Sequence, residues 1–268
     1  MGKVIAVFNQ KGGVGKTTTN VNLTASLGAM GKKILVLDLD PQGNTTSGYG
    51  IDKQSVDGTI YDVIIDGVDI NETILNTEFE NIDIVASDTD LAGCEIELTS
   101  RESREYILKN SIDKVRDNYD YIFIDCPPSL GMLTINSLTA VDSVLIPIQC
   151  EYYALEGVSQ LMGTIKLVKS RLNPNLDIQG VVLSMFDGRA NLSIQVVDEV
   201  KRYFKGSVYT TLIPRNVRLA EAPSHGKPVI YYDSKCKGAV AYMELAEEFI
   251  DLEAVSYTHL TLPTTPYV

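Results

Sequence analysis

The sequence predicts an α/β fold in which a mainly parallel, twisted sheet carries helices on both faces. Short runs of β-branched residues alternate with helical patterns along most of the 268 residues. Strands this apolar are typical of parallel sheets that are covered on both faces. Hydrophobic residues make up 44% of the chain and charged residues 22%, as in ordinary globular proteins. Because no linker, repeat or low-complexity stretch interrupts the pattern, we predict one domain.

The strands and helices are expected to alternate from the first residues onward. Runs with the composition of buried strands are Val4–Phe8, Ile34–Leu39, Ile82–Ala86, Tyr121–Ile124, Ser143–Ile148, Gly180–Met185 and Val208–Thr211. Segments with helical patterns are Gly15–Ala29, Thr59–Ile65, Arg101–Asn118, Met132–Ala140, Leu155–Leu172, Leu192–Phe204 and Gly238–Leu252. Strands separated by helices in this way build a parallel sheet.

A glycine-rich loop, KGGVGKTT, follows the first predicted strand. A strand that runs into a glycine-rich turn and then Gly-Lys-Thr is typical of the phosphate loop of nucleotide-binding proteins, and it indicates a P-loop NTPase-type fold. Backbone N–H groups and a helix N-terminus bind phosphate there. Lys16 is expected to contact the β- and γ-phosphates, and the Thr17 hydroxyl to ligate Mg²⁺. The alternative is a flexible glycine turn with two solvated lysines, which the flanking strand and helix disfavour.

The loop departs from the common pattern. Gln10 stands where the motif usually has its first glycine, and an additional lysine, Lys11, precedes the glycines. A loop of this size needs only one lysine for its own phosphates, so the second requires an explanation. We predict that the phosphates of a nucleotide contact Gly12, Gly13, Val14, Gly15, Lys16, Thr17 and Thr18.

Three aspartates end predicted strands near this loop. The second strand runs into LDLDPQGN, where Asp38 and Asp40 alternate and should point the same way before Pro41 turns the chain. The apolar strand YIFID ends in Asp125, as in a Walker B motif that holds Mg²⁺ directly or through water. Ligands of α/β folds bind at the carboxyl ends of the strands. We predict that Thr17 and Asp125 hold Mg²⁺, with Asp38 and Asp40 at the same edge of the sheet; the alternative is that the aspartates only form turns.

Composition disfavours several other kinds of site. The two histidines and four scattered cysteines lack the paired spacing of zinc sites, so we expect reduced, mostly buried thiols and an oxygen-bound metal. The first apolar stretch is too short for a signal peptide, and no run approaches the length of a membrane span. We therefore expect a cytoplasmic protein with no membrane partner.

The charge of the chain is unevenly distributed. Its formal net charge is −12, yet residues 160–240 contain twelve lysines and arginines against six acidic residues. Local charge rather than net charge decides whether a surface attracts a polyanion. A basic patch for nucleic acid is therefore compatible with the sequence, although most single lysines here are equally consistent with solvated helix faces.

The last residues differ in composition from the rest. The segment SYTHLTLPTTPYV has no charged side chain apart from a histidine, and it contains two prolines. We predict that the folded domain spans residues 1–253 and that residues 254–268 are disordered or non-native. The alternative is a short docking tail.

Five motifs together resemble the ParA/Soj family of partition ATPases, within the wider deviant-Walker group that includes MinD. They are QKGGVGKTT, LDLDPQGN, YIFIDCPPSLG, QCEYYALEG and IPRNVRLAEAPSHGKP, and the likeness extends from Met1 to about Leu252. The resemblance implies that Lys11 reaches the phosphates of the other subunit in an ATP-sandwich homodimer. ATP would then control dimerisation, since a second cation stabilises the dimer only while the triphosphate is present. The implied cofactors are ATP and Mg²⁺.

The resemblance also implies roles in catalysis. Asp40 would orient or deprotonate the attacking water, with Lys11 and Lys16 as the other catalytic residues. Asp38 and Asp125 would support the magnesium. The adenine would be packed by three consecutive residues, Pro214, Arg215 and Asn216.

The resemblance implies macromolecular partners as well. Arg189 and Arg218 match positions that contact DNA in the Soj-like branch of the family. The ATP-bound dimer would bind double-stranded DNA nonspecifically, and a ParB-type centromere-binding protein would stimulate a slow ATPase. The protein would then be associated with the nucleoid.

Two other functions stay open at this point. A MinD-like membrane-positioning ATPase would need a basic amphipathic C-terminal helix, but the segment MELAEEFIDLEAV is acidic. An iron–sulfur reductase with the same loop would need two cysteines per subunit at the dimer axis, whereas Cys126 is more simply explained as a buried residue. We therefore predict an ATP-dependent DNA-partitioning ATPase.

Overall fold

The fold was analysed in a computed structural model that describes residues 1–151 and 157–261. The strands in these residues are β1 Lys3–Val7, β2 Ile34–Asp38, β3 Ile74–Asn76, β4 Ile82–Val85, β5 Tyr121–Asp125, β6 Ser143–Gln149, β7 Asp177–Phe186 and β8 Val208–Pro214. They form one sheet in the order β3-β4-β2-β5-β1-β6-β7-β8. Neighbouring strands are parallel apart from β3 and β4, which are antiparallel. The predicted α/β fold with a mainly parallel sheet is confirmed.

Helices connect most of the strands. They are α1 Lys16–Ala29, α2 Asn44–Gly48, α3 Ile70–Thr73, α4 Cys94–Glu97, α5 Ile107–Ile112, α6 Met132–Ala140, α7 Val158–Arg171, α8 Asn191–Phe204, α9 Val217–Glu221, α10 Val229–Tyr232 and α11 Lys237–Thr261. In the part of the chain that the structure describes, none of these helices combines the length and the apolar character needed to cross a membrane.

Two hydrophobic cores lie on opposite faces of the sheet. Along β1, Val4 and Ala6 belong to one core while Ile5 and Val7 belong to the other, as the alternation of side chains in a strand requires. Helices α6 and α7 contribute leucines to the first core, and α1 and α11 contribute a leucine and a phenylalanine to the second. Helices therefore cover both faces, as predicted.

Three segments differ from the sequence prediction. Strand β3 was not predicted, because three residues are too few to show an alternating pattern. The predicted helix Arg101–Asn118 is interrupted, since Ser103 has a left-handed backbone with φ of 52° and α5 occupies only the middle of the segment. The predicted helix Thr59–Ile65 is a π-helical turn at Asp62–Asp66.

The end of one further helix differs from the prediction, and the predicted start of another cannot be compared. The predicted start of α7, Leu155, lies outside the described residues. Helix α11 continues past its predicted end at Leu252 to Thr261, because no glycine or proline occurs between Glu253 and Pro263 to stop it. That residues 254–268 are disordered or non-native stays a prediction.

Two glycines bring distant segments into main-chain contact. Gly50 follows α2, and Gly226 follows the 3-10 turn Ala222–His225; both have positive φ, 73° and 63°. A Cβ atom on Gly50 would lie 2.9 Å from the Gly226 carbonyl oxygen, and one on Gly226 would lie 2.7 Å from the Gly50 Cα. Any side chain at either position would therefore displace the backbone.

The carboxyl ends of three central strands meet at one point. Strand β5 lies between β1 and β2, and its register places Asp125 opposite Val7 on one side and Asp38 on the other. The glycine-rich loop begins directly after Val7. The sheet thereby brings the loop and two of the predicted aspartates together.

Candidate nucleotide-binding site

The loop between β1 and α1 is held in place by two polar side chains. Asn9 Nδ2 donates to the Pro147 carbonyl at 2.8 Å, and its Oδ1 accepts from the Lys11 N–H at 3.0 Å. Ser184 Oγ, on β7, donates to the Val14 carbonyl at 2.7 Å. The loop is therefore fixed to β6 and β7 without any ligand.

The turn itself depends on glycine. Gly13 and Gly15 have φ of 74° and 90°, a region that glycine adopts without steric cost. Helix α1 begins immediately afterwards at Lys16. The first N–H groups of a helix lack partners within the helix and carry partial positive charge, so the loop and the first turn of α1, with Thr17 and Thr18, have the properties of a phosphate site.

The two lysines of the loop have different settings. Lys16 is 7% exposed, and its Nζ donates to the Lys11 carbonyl at 3.3 Å. Burial lowers the pKa of the Lys16 amine, and the charge of Asp125 is the largest opposing influence. Lys11 is half-buried and uses its main-chain N–H and carbonyl in the loop, while its ammonium group contacts no acceptor in the described residues. The charge of Lys16 is therefore buried in the loop, whereas the charge of Lys11 is available for contact with another group.

Asp125 has a buried carboxylate whose two oxygens differ in their hydrogen bonding. Its Oδ2 accepts from Thr17 Oγ1 at 2.7 Å and from Thr45 Oγ1 at 2.8 Å. Its Oδ1 is buried and has no hydrogen-bond partner in the part of the chain that the structure describes. Burial, followed by the charge of Asp38, raises the pKa of Asp125. A carboxylate oxygen without a partner next to a threonine hydroxyl fits Mg²⁺.

The protein alone does not supply a full set of metal ligands. Among the described residues, no group of three or more His, Cys, Asp or Glu is arranged to hold a metal ion. Mg²⁺ typically takes one or two protein ligands and completes its shell with waters and substrate phosphates. Thr17 and Asp125 fit that arrangement.

Asp38 has partners other than those predicted for a metal ligand. Its Oδ2 accepts from the N–H and the hydroxyl of Thr46, both at 2.8 Å, and its Oδ1 accepts from the Asp40 N–H at 3.2 Å. Burial raises the pKa of Asp38 despite these hydrogen bonds. Both carboxylate oxygens therefore hold other parts of the protein, namely Thr46 in α2 and the turn at Asp40. Direct contact of Asp38 with the metal stays a prediction.

Asp40 lies in a more open setting than Asp38. Strand β2 ends at Asp38, so the strand alternation does not extend to Asp40. Asp40 is half-buried, and its Oδ1 accepts from the Gln42 N–H at 2.9 Å. A half-exposed carboxylate at the edge of a phosphate site is suited to contact with a water molecule.

Asp125→Asn is expected to stabilise the ligand-free protein and to weaken its binding of Mg²⁺ with ATP about 10-fold or more, a change of about 1.4 kcal/mol. Removing a buried charge beside Asp38 should raise the free energy of unfolding by about 1 kcal/mol or more, since one pKa unit corresponds to about 1.4 kcal/mol. Because the folded pKa lies above the unfolded value of about 4, wild-type stability should fall as pH rises from there through the folded pKa. Chemical denaturation across this pH range should show the fall in the wild type and a weaker one in the variant.

Asp117→Asn is the control for this experiment, since Asp117 is strongly exposed and pairs with the N-terminal amine, at the opposite end of β1 from the loop. It should change neither stability nor binding of Mg²⁺ with ATP. A ligand-free Asp125→Asn protein that is less stable than the wild type near neutral pH would contradict the prediction.

A cavity of about 240 Å³ adjoins the phosphate loop. It is lined by Gly15 and Thr18 of the loop and α1, by the predicted adenine residues Pro214, Arg215 and Asn216, and by apolar or aromatic side chains that include Leu219 and Tyr242. Mostly apolar walls with a few polar groups are typical of sites for a flat aromatic base. The sequence-predicted adenine residues and the phosphate loop therefore line one cavity.

Arg189 and Arg218 lie outside this cavity, on the surface. Arg189 is 92% exposed and pairs with Asp187 at 2.9 Å. Arg218, on α9, pairs with Glu221 at 2.7 Å and with Asp233 at 3.4 Å. Both guanidinium groups are accessible to a large anion, which would compete with these acidic neighbours.

The four cysteines are free thiols, as predicted. Cys94, Cys126 and Cys150 are buried, and Cys236 is half-buried. Burial raises the pKa of the Cys126 thiol to about 12. An enclosed, protonated thiol is a poor candidate for a cluster ligand at a subunit interface.

Sequence analysis missed several residues that support the site. Thr45, Thr46 and Ser87 hold the aspartates and the turn after β2, and Asn9 and Ser184 hold the loop. The two threonines follow the LDLDPQGN motif directly, so their position was a usable signal. Ser184 gave none, since it lies 170 residues from its partner Val14.

Comparisons with known proteins agree with this geometry. A family model described as an AAA domain matches residues 2–178. The chain is 59% identical over 248 residues to the sporulation initiation inhibitor protein Soj of Bacillus subtilis, covering 92% of this chain and 98% of that protein. It is 52% identical over 250 residues to the chromosome partitioning protein ParA of Myxococcus xanthus, covering 93% of this chain and 88% of that protein.

Solved structures share the fold, and one of them holds a nucleotide with magnesium. The cobyrinic acid a,c-diamide synthase of Mycobacterium smegmatis, with bound ADP and magnesium, has a TM-score of 0.83 and 35% identity over 100% of both chains. The cell division ATPase MinD of Pyrococcus furiosus has a TM-score of 0.78 and 28% identity, covering 94% of this chain and 100% of that chain. The bound ADP and magnesium agree with the predicted cofactors.

The family follows from the sequence identity over nearly the whole chain, together with a phosphate loop that contains two lysines. The chain belongs to the ParA/Soj family of partition ATPases.

Proposed function

We propose that this chain is a slow ATPase that partitions chromosomal or plasmid DNA. In this proposal it binds ATP with Mg²⁺, dimerises around the nucleotide, binds double-stranded DNA without sequence preference, and is stimulated by a ParB-type centromere-binding protein. The observation that carries the proposal is the contrast between buried Lys16 and half-buried Lys11 in one loop. The name of the relative that is 52% identical, chromosome partitioning protein ParA, supports partition as the purpose.

The synthase from Mycobacterium smegmatis suggests no second function here. It is 35% identical to this chain, well below the identity of the Soj and ParA relatives. A shared fold and shared nucleotide binding do not show that two proteins catalyse the same reaction.

The nucleotide would be held from both ends. Pro214, Arg215 and Asn216 would contact the adenine in the adjoining cavity, while the loop N–H groups and Lys16 would contact the phosphates. Thr17 and Asp125 would hold Mg²⁺, which neutralises charge on the phosphates when it is bound.

Hydrolysis requires an oriented water molecule, and Asp40 is the residue we assign to it. Its carboxylate is half-exposed, and only the Gln42 N–H bonds it in the described residues. A carboxylate in this setting can accept a proton or a hydrogen bond from water. Since no side chain of the described residues hydrogen-bonds this carboxylate, a low basal rate is expected until a partner fixes its position.

Dimerisation would use the charge of Lys11, whose ammonium group contacts no acceptor in the described residues. A triphosphate between two subunits is a shared polyanion, so Lys11 of each subunit can contact the nucleotide of the other. ADP lacks the terminal phosphate and would hold the dimer less tightly. ATP therefore acts as the switch in this proposal.

DNA binding would follow from dimerisation. Arg189 and Arg218 lie in the segment 160–240, where basic residues outnumber acidic ones by two to one. A dimer presents this surface twice to one duplex, which raises the effective concentration of the second contact. Contacts to phosphate give affinity without sequence preference.

Arg189→Glu and Arg218→Glu are each expected to weaken DNA binding and leave ATP-driven dimerisation intact. Each lost phosphate contact should reduce the magnitude of the log–log salt slope by roughly 0.9, and a symmetric dimer loses two per substitution. The measurement is binding of a random-sequence duplex against salt concentration, with ATP, in an Asp40→Ala background that blocks hydrolysis.

Lys109→Glu is the matched control, because it reverses one charge of a surface ion pair outside the basic segment. It should leave the salt slope unchanged. If both arginine variants kept the parent affinity and slope, the DNA surface would lie elsewhere, with Lys201, Arg202 and Lys205 as the next residues to test.

A further inference from the structure

A buried serine holds the turn that carries Asp40. Ser87 follows β4 and is completely buried. Its Oγ donates to the Asp40 carbonyl at 2.9 Å, and its N–H donates to Thr46 Oγ1 at 3.0 Å. We propose that Ser87 is a positioning residue for ATP hydrolysis, which fixes the main chain of Asp40 so that its carboxylate meets the attacking water. The inference rests on the proposed function.

The hydrogen bonds around Asp40 form a closed ring. Ser87 donates to Thr46, Thr46 Oγ1 donates to Asp38 Oδ2 at 2.8 Å, and Asp38 Oδ1 accepts from the Asp40 N–H at 3.2 Å. Ser87 Oγ closes the ring on the Asp40 carbonyl, which also accepts from the Gly43 N–H of the same turn at 2.8 Å. The ring joins the ends of β2 and β4 to α2, and it holds the Asp40 residue at both its N–H and its carbonyl.

Asp40 depends on this ring because little else fixes its side chain. The carboxylate is half-buried, and within the described residues its hydrogen bond comes from Gln42, in the same turn. Its position therefore follows the main chain. Misplacement of a catalytic group by about 1 Å can cost about 100-fold in rate, so a modest loosening should be visible in kcat.

Ser87 does not belong to the nucleotide cavity or to the phosphate loop. Its hydrogen bonds go to the turn after β2 and to α2, and it does not line the cavity beside Pro214. Removing its hydroxyl should therefore spare ATP binding. A serine that only stabilised the fold would instead change stability with no particular effect on the catalytic step.

Ser87→Ala is expected to lower kcat about 3- to 10-fold, which corresponds to about 0.7–1.4 kcal/mol in the activation free energy, and to keep Kd for ATP within about 2-fold. Ser87→Thr, which keeps the hydroxyl, should retain most of the activity.

Ser26→Ala is the matched control. Ser26 is also completely buried, and its Oγ donates to the Asn22 carbonyl at 2.8 Å within α1. It loses the same kind of hydrogen bond with no contact to the turn of Asp40, so its kcat should match the wild type. If Ser87→Ala failed to fold, Ser87→Cys, which keeps the side-chain size with a weaker donor, should show the same drop in kcat.

The outcomes separate the inference from the proposed function. If the wild type hydrolysed ATP and Asp40→Ala did not, but Ser87→Ala or Ser87→Cys kept the wild-type kcat, only the role of Ser87 would be overturned. An equal loss of kcat in Ser26→Ala would also overturn it. A wild type that binds ATP but never hydrolyses it would refute the proposed function and the inference together.

Discussion

Lys16→Ala protein is expected to bind ATP too weakly to detect at concentrations that saturate the wild type. Lys16 is the buried cation of the loop, and burial lowers the pKa of its amine because it disfavours the charged form. Truncating one partner of a buried charge pair costs about 2–5 kcal/mol, which corresponds to roughly 30- to 4,000-fold in Kd. Isothermal titration calorimetry with ATP and Mg²⁺ measures this directly.

Lys32→Ala is the control for this substitution, because Lys32 follows the opposite end of α1 from the loop. It should bind ATP like the wild type. Since thermal stabilisation by ATP depends on binding to the folded state, the nucleotide should raise Tm of the control and leave Tm of the Lys16→Ala protein unchanged. Wild-type ATP affinity in Lys16→Ala would mean that the phosphates bind elsewhere.

Lys11→Ala is expected to abolish ATP-dependent dimerisation while leaving much of the monomer's ATP binding intact. Lys11 contributes its N–H and its carbonyl to the loop, and these main-chain contacts survive the substitution. A symmetric dimer loses two charged hydrogen bonds at about 1.5–3 kcal/mol each, so the dimer Kd should rise by about 100-fold or more.

Light scattering with ATP, in the hydrolysis-blocked Asp40→Ala background, distinguishes monomer from dimer. Lys11→Arg keeps the charge and should retain part of the dimerisation, which separates the charge from the conformation of the loop. A Lys11→Ala protein that dimerises as readily as the parent would remove the cross-subunit role and leave the second lysine unexplained.

Much of the fold could be predicted because a buried parallel strand has a continuous run of apolar residues in the sequence. The runs that precede Asp38 and Asp125 placed both residues at strand ends, and the register of β5 with its neighbours then brought them together. The segment 101–118 was predicted as one helix because its apolar spacing is helical. The left-handed backbone of Ser103, which interrupts it, has no sequence signal as clear as glycine.

The residues of the candidate site also include some that could be predicted from the sequence and some that could not. Residues whose chemistry is local, such as Lys16 and Thr17 in a glycine-rich loop, could be predicted from the motif alone. Ser87 and Ser184 could not, because a buried serine is recognised as a support only when its distant carbonyl partner is known. The different settings of Asp38 and Asp40 also required the structure, since the end of β2 falls between them.

The contact between Gly50 and Gly226 has a mechanical consequence. Gly50 terminates the segment that starts with Asp40 and includes α2, and Gly226 ends the segment that starts with the adenine residues and includes α9. Since these two segments touch backbone to backbone, neither can shift by an ångström without pushing or releasing the other. In the function proposed above, a shift of the cavity-lining segment when the base binds would displace the turn of Asp40, and a shift of that turn after hydrolysis would displace the cavity wall.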